Sequence, residues 1–261
     1  MYKICGMISK NRIKYVRSLE MKKYRKAEGV FVAEGHKLVG DLLGVFECKY
    51  LAATSEWLSV HEAWIEQRKN RVEVDEVTEE ELRRVSFQEA PQQVLAVFQQ
   101  PNYEVDVDEV VSRQLCLALD DVQNPGNLGT IVRLADWFGI EHIFCSKGCA
   151  DIYNPKTVQA TMGAMARVKV HYVDLPQMLH GLVEDIPVYG TFLDGDNMYQ
   201  KELENRGVIV MGNEGKGVSK EVEAFVTERL YIPNYPVGRE TSESLNVAIA
   251  TAIVCAEFRR R

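Results

Sequence analysis

From Leu115 to the C-terminus, short apolar runs alternate with stretches of helical periodicity. Leu115–Leu119, His142–Cys145, Val168–Tyr172, Val188–Phe192, Val208–Met211 and Leu230–Ile232 read as strands, and helices fall between most of them. Strands joined through crossover helices run in the same direction, so this order predicts an α/β fold with a parallel sheet covered on both faces. A smaller α/β unit precedes it. Val30–Glu34, Tyr50–Ala53, Val72–Val74 and Val94–Phe98 have strand character, His36–Leu43 and Glu56–Lys69 helical character, and Thr78 with Glu81 has the spacing of a capping box. Between the two lies Gln99–Asp108, acidic, without periodicity and holding Pro101, as a linker does. The expected domains are 1–98 and 111–261, joined by a linker over 99–110.

With 46% hydrophobic and 26% charged residues in 261, the chain can build a packed core. No apolar run reaches the roughly 18 residues of a membrane-spanning helix, and Met1–Lys26 carries too many charges for a signal peptide. A soluble cytoplasmic protein with no membrane partner is expected. Of six cysteines only Cys145 and Cys149 lie close together, and no second pair or histidine cluster completes a zinc site. Structural thiols and no metal are the expectation. The net charge of −7 argues against a polyanionic partner, but Met1–Gly29 holds nine Lys/Arg against two Glu. Such a block is either a phosphate-contacting arm or a solvated basic helix, and the segment alone leaves both open.

Three segments carry candidate chemistry. In the first, a buried strand ends at Asp120-Asp121, a Pro125-Gly126 turn follows, and Asn127 is positioned to cap the next helix. The core face of that helix is Leu128, Ile131, Leu134, Ala135 and Phe138, and Arg133 points well away from it. This turn lies at the carboxyl end of a strand, where α/β proteins gather ligands. In the second, an apolar strand runs into Gly212-Asn213-Glu214-Gly215-Lys216-Gly217, and a helix opens at Ser219. Glycines here let backbone approach a ligand or take positive φ. The spacing is not that of a phosphate loop, because Val210 stands five before Gly215 and Gly217 follows Lys216. In the third, a strand ends at Ile232-Pro233, and a terminal helix begins near Glu243 or Ser244. Its Ala248, Ala252 and Ala256 form a small-residue stripe that suits either close packing with another helix or a tight core.

Taken in order, these segments resemble the three motifs of the SpoU (TrmH-like) family of RNA 2′-O-methyltransferases, in the SPOUT superfamily. The matching residues are Asn127 to Arg133, then Gly212 to Gly217, then Ile232-Pro233 with Ser244-Leu245-Asn246-Val247-Ala248, across roughly residues 115–258. Residues 10–98 resemble the L30e-like domain that precedes the catalytic domain in ribosomal members, on Arg25 and Phe31-Val32-Ala33-Glu34-Gly35. The resemblance implies a SPOUT sheet with a C-terminal trefoil knot, against the general rule for chain topology. It implies a homodimer, S-adenosylmethionine as methyl donor, and RNA, ribosomal rather than transfer, as substrate. By position it implies Asn127, Arg133, Glu214, Ser244 and Asn246 as active-site residues. Thr191, Met211, Gly212, Ile232 and Leu245 become donor contacts, and Arg25, Glu34 and Arg133 become RNA contacts. The loop Pro233–Glu243 looks longer than in typical members.

A guanidinium loses its proton only above about pH 12, so Arg133 is expected to bind substrate phosphate and stabilise developing alkoxide charge rather than act as base. A water or phosphate oxygen then takes the proton. The competing expectation is a non-catalytic RNA-binding protein that keeps the fold, and five intact site residues weigh against it.

Overall fold

The computed structural model describes residues 8–68, 71–183, 185–236 and 244–260. They form two compact units, Met1–Asn102 with Asp151–Ala166, and Tyr103–Ala150 with Arg167–Arg261.

The first unit opens with helices α1 (Lys10–Ser18) and α2 (Lys22–Glu28). Strand β1 (Val30–Glu34), α3 (His36–Leu42), β2 (Cys48–Ala53), α4 (Ser55–Val60), α5 (Glu62–Glu66), β3 (Glu73–Glu76), α6 (Glu79–Val85) and β4 (Val94–Gln99) follow. The sheet order is β1-β4-β2-β3, with β4 antiparallel to both neighbours and β2 parallel to β3. Val16, Leu19, Val32, Leu82 and Val97 are buried together beneath it. The capping box forms as read: Glu81 N–H donates to Thr78 Oγ1 at 3.2 Å, and Thr78 N–H donates to Glu81 Oε2 at 2.9 Å. The single helix expected over Glu56–Lys69 is instead two, parted at His61, whose φ of −107° leaves the helical range; its last expected residue, Lys69, lies outside the described residues.

In the second unit the chain runs through α7 (Val107–Arg113), β5 (Leu115–Leu119), α8 (Pro125–Trp137) and β6 (His142–Ser146). Helix α9 (Pro155–Thr161) belongs to the first unit, where it packs on β1. The second unit resumes with β7 (Lys169–Val173), α10 (Leu175–His180), β8 (Val188–Asn197), β9 (Gly207–Met211), α11 (Lys220–Glu223), β10 (Glu228–Tyr231) and α12 (Val247–Arg260). Six strands in the order β10-β8-β9-β5-β6-β7 pair in parallel throughout. β5 and β9 are buried at every position, as a sheet covered on both faces requires. The acidic stretch read as linker already contains the start of α7, because Asp106 accepts from Glu109 N–H at 3.1 Å and caps it. The trefoil knot implied by the resemblance turns on the loop between β10 and α12, and 237–243 of that loop lie outside the described residues.

Strand order sets the position of the site. From β5 the chain proceeds to β6 and β7 on one side, whereas β9 and β8 lie on the other. The carboxyl ends of β5 and β9 therefore flank the switch point, where loops diverge and leave a crevice.

Candidate active site

The loop after β5 is organised by Asn124, not by Asn127. Asn124 Oδ1 accepts from the N–H groups of Gly126 and Asn127 at 2.8 and 3.1 Å, and Pro125 takes the first helical position. Proline fits there because its missing N–H is one that the helix leaves unpaired anyway. Asn127 thus lies inside the first turn of α8, and the expectation that it caps the helix is corrected. The buried stripe of α8 is Leu128, Ile131, Val132 and Ala135, while Leu134 and Phe138 are only half-buried. Arg133 is exposed, and among the described residues it makes no hydrogen bond or ion pair.

Past β9 the chain turns back on itself at once. Asn213 and Gly217 exchange two backbone hydrogen bonds, at 2.9 and 3.0 Å, and Gly217 takes a φ of +71°. Asn213 Oδ1 also accepts from Gly215 N–H at 2.9 Å and Lys216 N–H at 3.0 Å. This closed turn holds Glu214 at its tip. A Cβ on Gly212 would overlap the backbone of Gly217 and Val218. The glycine is required first by the chain's own turn.

The third segment supplies Asn246. Its Oδ1 accepts from Ala248 N–H at 2.9 Å and Ile249 N–H at 3.3 Å, so it caps α12, which begins at Val247 rather than near Glu243. Its Nδ2 donates to Asn127 Oδ1 at 3.1 Å, and Asn127 Nδ2 donates to Glu214 Oε1 at 2.8 Å. The polarity of this relay is fixed from both ends. The helix N–H groups can only donate and an ionised carboxylate can only accept, so both amides have one consistent orientation. Three segments remote in sequence thus meet in one hydrogen-bonded line.

The other site candidates stand around it. Ser244 and Leu245 precede Asn246 and are exposed, and Ser244 makes no hydrogen bond among the described residues. Thr191 follows the last β8 residue paired with β9, and its hydroxyl lies 3.9 Å from Met211 Sδ. Met211 ends β9 and is buried, whereas Ile232, just past β10, is half-buried. The carboxyl ends of neighbouring strands thereby gather apolar side chains, a thioether, a hydroxyl and loop backbone. That chemistry suits the adenine ring and the methionine chain of S-adenosylmethionine. Among the described residues no cluster of three or more His, Cys, Asp or Glu can hold a metal.

Two expected RNA contacts face inward. The Arg25 guanidinium is only 2% exposed; it donates to the carbonyls of Leu19 and Glu20 at 2.9 and 2.7 Å and to Asp151 at 2.5 Å. Glu34 is 5% exposed and accepts from the Ser86 hydroxyl and, at 2.9 Å, from Phe87 N–H. Burial pushes the Glu34 carboxyl above its ordinary range. Both hold the first unit together, which corrects their assignment to RNA. Of the basic block, Arg12 pairs with Glu73 and Arg17 donates to the Ser86 carbonyl, whereas Lys10, Lys14, Lys22 and Lys26 are exposed and unpaired among the described residues. Cys48, Cys116, Cys145, Cys149 and Cys255 are free and buried; Cys5 lies outside the described residues. Burial raises Cys48, Cys116 and Cys255 to about 12, while hydrogen bonding from the Cys145 thiol above all holds Cys149 near 7.

Sequence reasoning missed the residues that tie the loops together. Asp120 Oδ2 accepts from Ser219 N–H at 2.7 Å, and Asn213 Nδ2 donates to the Asp121 carbonyl at 2.8 Å. Their signal was an Asp-Asp and an Asn-x-Gly at strand ends, residue types that hydrogen-bond local backbone.

The three segments fall within a region that matches a known family. The pattern of the SpoU rRNA Methylase family matches residues 114–256, and that of an MRM3-like substrate binding domain matches residues 10–96. A 23S rRNA guanosine 2′-O-methyltransferase of Bacillus subtilis is 31% identical over 251 residues, covering 95% of this chain and 96% of that protein. A Porphyromonas gingivalis structure described as a TrmH-family RNA methyltransferase superposes with a TM-score of 0.85 at 44% identity, covering 98% of this chain and 99% of the other. An rRNA methyltransferase from Sinorhizobium meliloti, solved with AdoMet bound, gives a TM-score of 0.85 at 29% identity, covering 98% of this chain and 97% of the other.

Proposed function

This chain belongs to the SpoU rRNA methylase family, and from that premise we propose that it transfers a methyl group from S-adenosylmethionine to a ribose 2′-hydroxyl of ribosomal RNA. The observation that carries the reading is the relay from Asn246 through Asn127 to Glu214. It joins the three family motifs at the switch point of the sheet.

Thr191, Met211, Gly212, Ile232 and Leu245 would hold the donor, which supplies a methyl group activated by a positive sulfonium. Arg133, on the helix that follows β5, is exposed and makes no hydrogen bond or ion pair among the described residues. Its guanidinium binds a substrate phosphate and steadies the charge that develops on the attacking oxygen, while a water or phosphate oxygen accepts the proton. The relay keeps the loops after β5 and β9 and the cap of α12 in one arrangement, so that the hydroxyl is presented in line, which can lower the barrier by several kcal/mol. Ser244 orders the substrate beside Asn246.

The first unit holds RNA through the exposed lysines of α1 and α2. The protein acts as a homodimer. α12 buries Val247, Thr251, Val254 and Phe258 inward and leaves Ile249 and Ala256 outward, a face that suits a second copy.

The reading is tested by incubating the protein with labelled S-adenosylmethionine and ribosomal RNA and mapping 2′-O-methyl positions. Label on a ribose is expected. Tight RNA binding without label would overturn it in favour of a non-catalytic RNA-binding protein.

A further inference from the structure

Asp121, just past β5, has a φ of +58°, in the left-handed region that costs most residues free energy and that Asp tolerates better than most. Neighbours on three loops hold it there. Its N–H donates to Ser146 Oγ at the end of β6, at 2.9 Å. Its carbonyl accepts from Asn213 Nδ2 just past β9, at 2.8 Å. Its carboxylate accepts from Gln123 Nε2 at 3.0 Å. Gly148 lies so close that a Cβ there would overlap Asp121 Oδ1. β9, β5 and β6 are adjacent strands, so this one residue joins the three central loop ends.

Asn213 uses both ends of its side chain. The amide nitrogen reaches Asp121, while Oδ1 accepts from Gly215 and Lys216 N–H and shapes the turn that carries Glu214. A second tether, Asp120 Oδ2 to Ser219 N–H, fixes the far end of the same loop. Asn213 and Asp121 make no hydrogen bond to Asn127 or Asn246 among the described residues.

We propose that Asn213 and Asp121 form a positioning lock that sets the Glu214 carboxylate against Asn127, so that methyl transfer depends on an interloop hydrogen bond outside the reacting groups. The proposal rests on the methyltransferase reading only for its rate measurements.

The decisive variant is Asn213→Asp in the full chain. It keeps the oxygen that shapes the turn, removes the N–H that reaches Asp121, and sets a carboxylate against that carbonyl. Single-turnover methylation of ribosomal RNA should slow by about 10- to 100-fold, the scale of a misplacement of an ångström or so. Backbone amides of the loop, 213–217, should exchange hydrogen at least about tenfold faster, with Val208–Met211 unchanged. Combined with Glu214→Gln, the loss should not exceed that of the slower single variant, because both act through one carboxylate. Gly148→Ala, which crowds Asp121 from the other side, should shift rate and exchange in the same direction. Unchanged loop exchange in Asn213→Asp, or losses that multiply with Glu214→Gln, would overturn the lock. An unmodified chain that cannot methylate RNA would overturn the function and leave the exchange measurement to decide the lock.

Discussion

The Asn127 side-chain amide donates to Glu214 at 2.8 Å across 87 positions of sequence, and only this polarity agrees with the cap of α12 at the other end of the relay. A hydrogen bond to a charged acceptor is worth about 1.5 to 3 kcal/mol, more than most neutral pairs. Asn127→Asp keeps the shape and removes the donor, so two carboxylates face each other. Turnover is expected to fall about 100-fold in single-turnover methylation. A rate within twofold of the unmodified protein would show that the relay has no part in the reaction.

Arg25 is the residue whose role changed most between sequence and structure. Removing it leaves Asp151, itself largely buried, and two carbonyls without their donor. Arg25→Ala should destabilise the protein by about 3 to 5 kcal/mol in chemical denaturation. A loss below about 1 kcal/mol, joined to weakened RNA binding, would return the residue to the surface role that its motif suggested.

The α/β class and the strands of the large sheet were legible because buried parallel strands are continuous apolar runs: Leu115–Leu119 was read to the residue and is observed as β5. Asn127, Glu214 and Asn246 were legible through their motifs, but their mutual hydrogen bonds were not, since nothing local encodes a contact between residues 127 and 246. Arg25 misled because burial of an arginine depends on acceptors such as Asp151, which the chain supplies from 126 positions away. The placement of α9 beside β1 was invisible for the same reason. Asn127 is the more obvious cap in the sequence, although Pro125 at the first helical position points to Asn124.

Acid should weaken the β6–β7 edge. His142 Nδ1 lies 3.1 Å from His171 Nε2, and burial, then the His142 and Lys169 charges, hold His171 down to about 4. His142 is lowered too, by burial and then Lys169, against a smaller opposing effect of Glu141. Between pH 6.5 and about 4 the unfolded chain binds a proton at this position that the folded chain refuses. Stability should therefore fall as pH drops through 6.5 and level off below about 4. Denaturation midpoints across this range should decline less steeply for His171→Phe; identical slopes would remove His171 from the account.

Lys10, Lys14, Lys22 and Lys26 carry the electrostatic case for the first unit. Replacing all four with Gln should flatten the plot of log binding constant for ribosomal RNA against log salt by about 3 units, near 0.7 to 0.9 per lost phosphate contact. Donor affinity, measured by calorimetry, should not change. An unaltered salt slope would show that these lysines are only solvated.

Arg133 bears the chemical claim most directly, because its side chain is exposed and makes no hydrogen bond or ion pair among the described residues, so its removal should cost little stability. The measurement is single-turnover 2′-O-methylation of ribosomal RNA by Arg133→Ala, with Arg133→Lys beside it to separate a point charge from a planar, two-pronged contact. The expected result is a fall of at least about 100-fold for Arg133→Ala, roughly 3 kcal/mol, with melting temperature and donor affinity almost unchanged. Transfer by Arg133→Ala at the unmodified rate would contradict the proposed site.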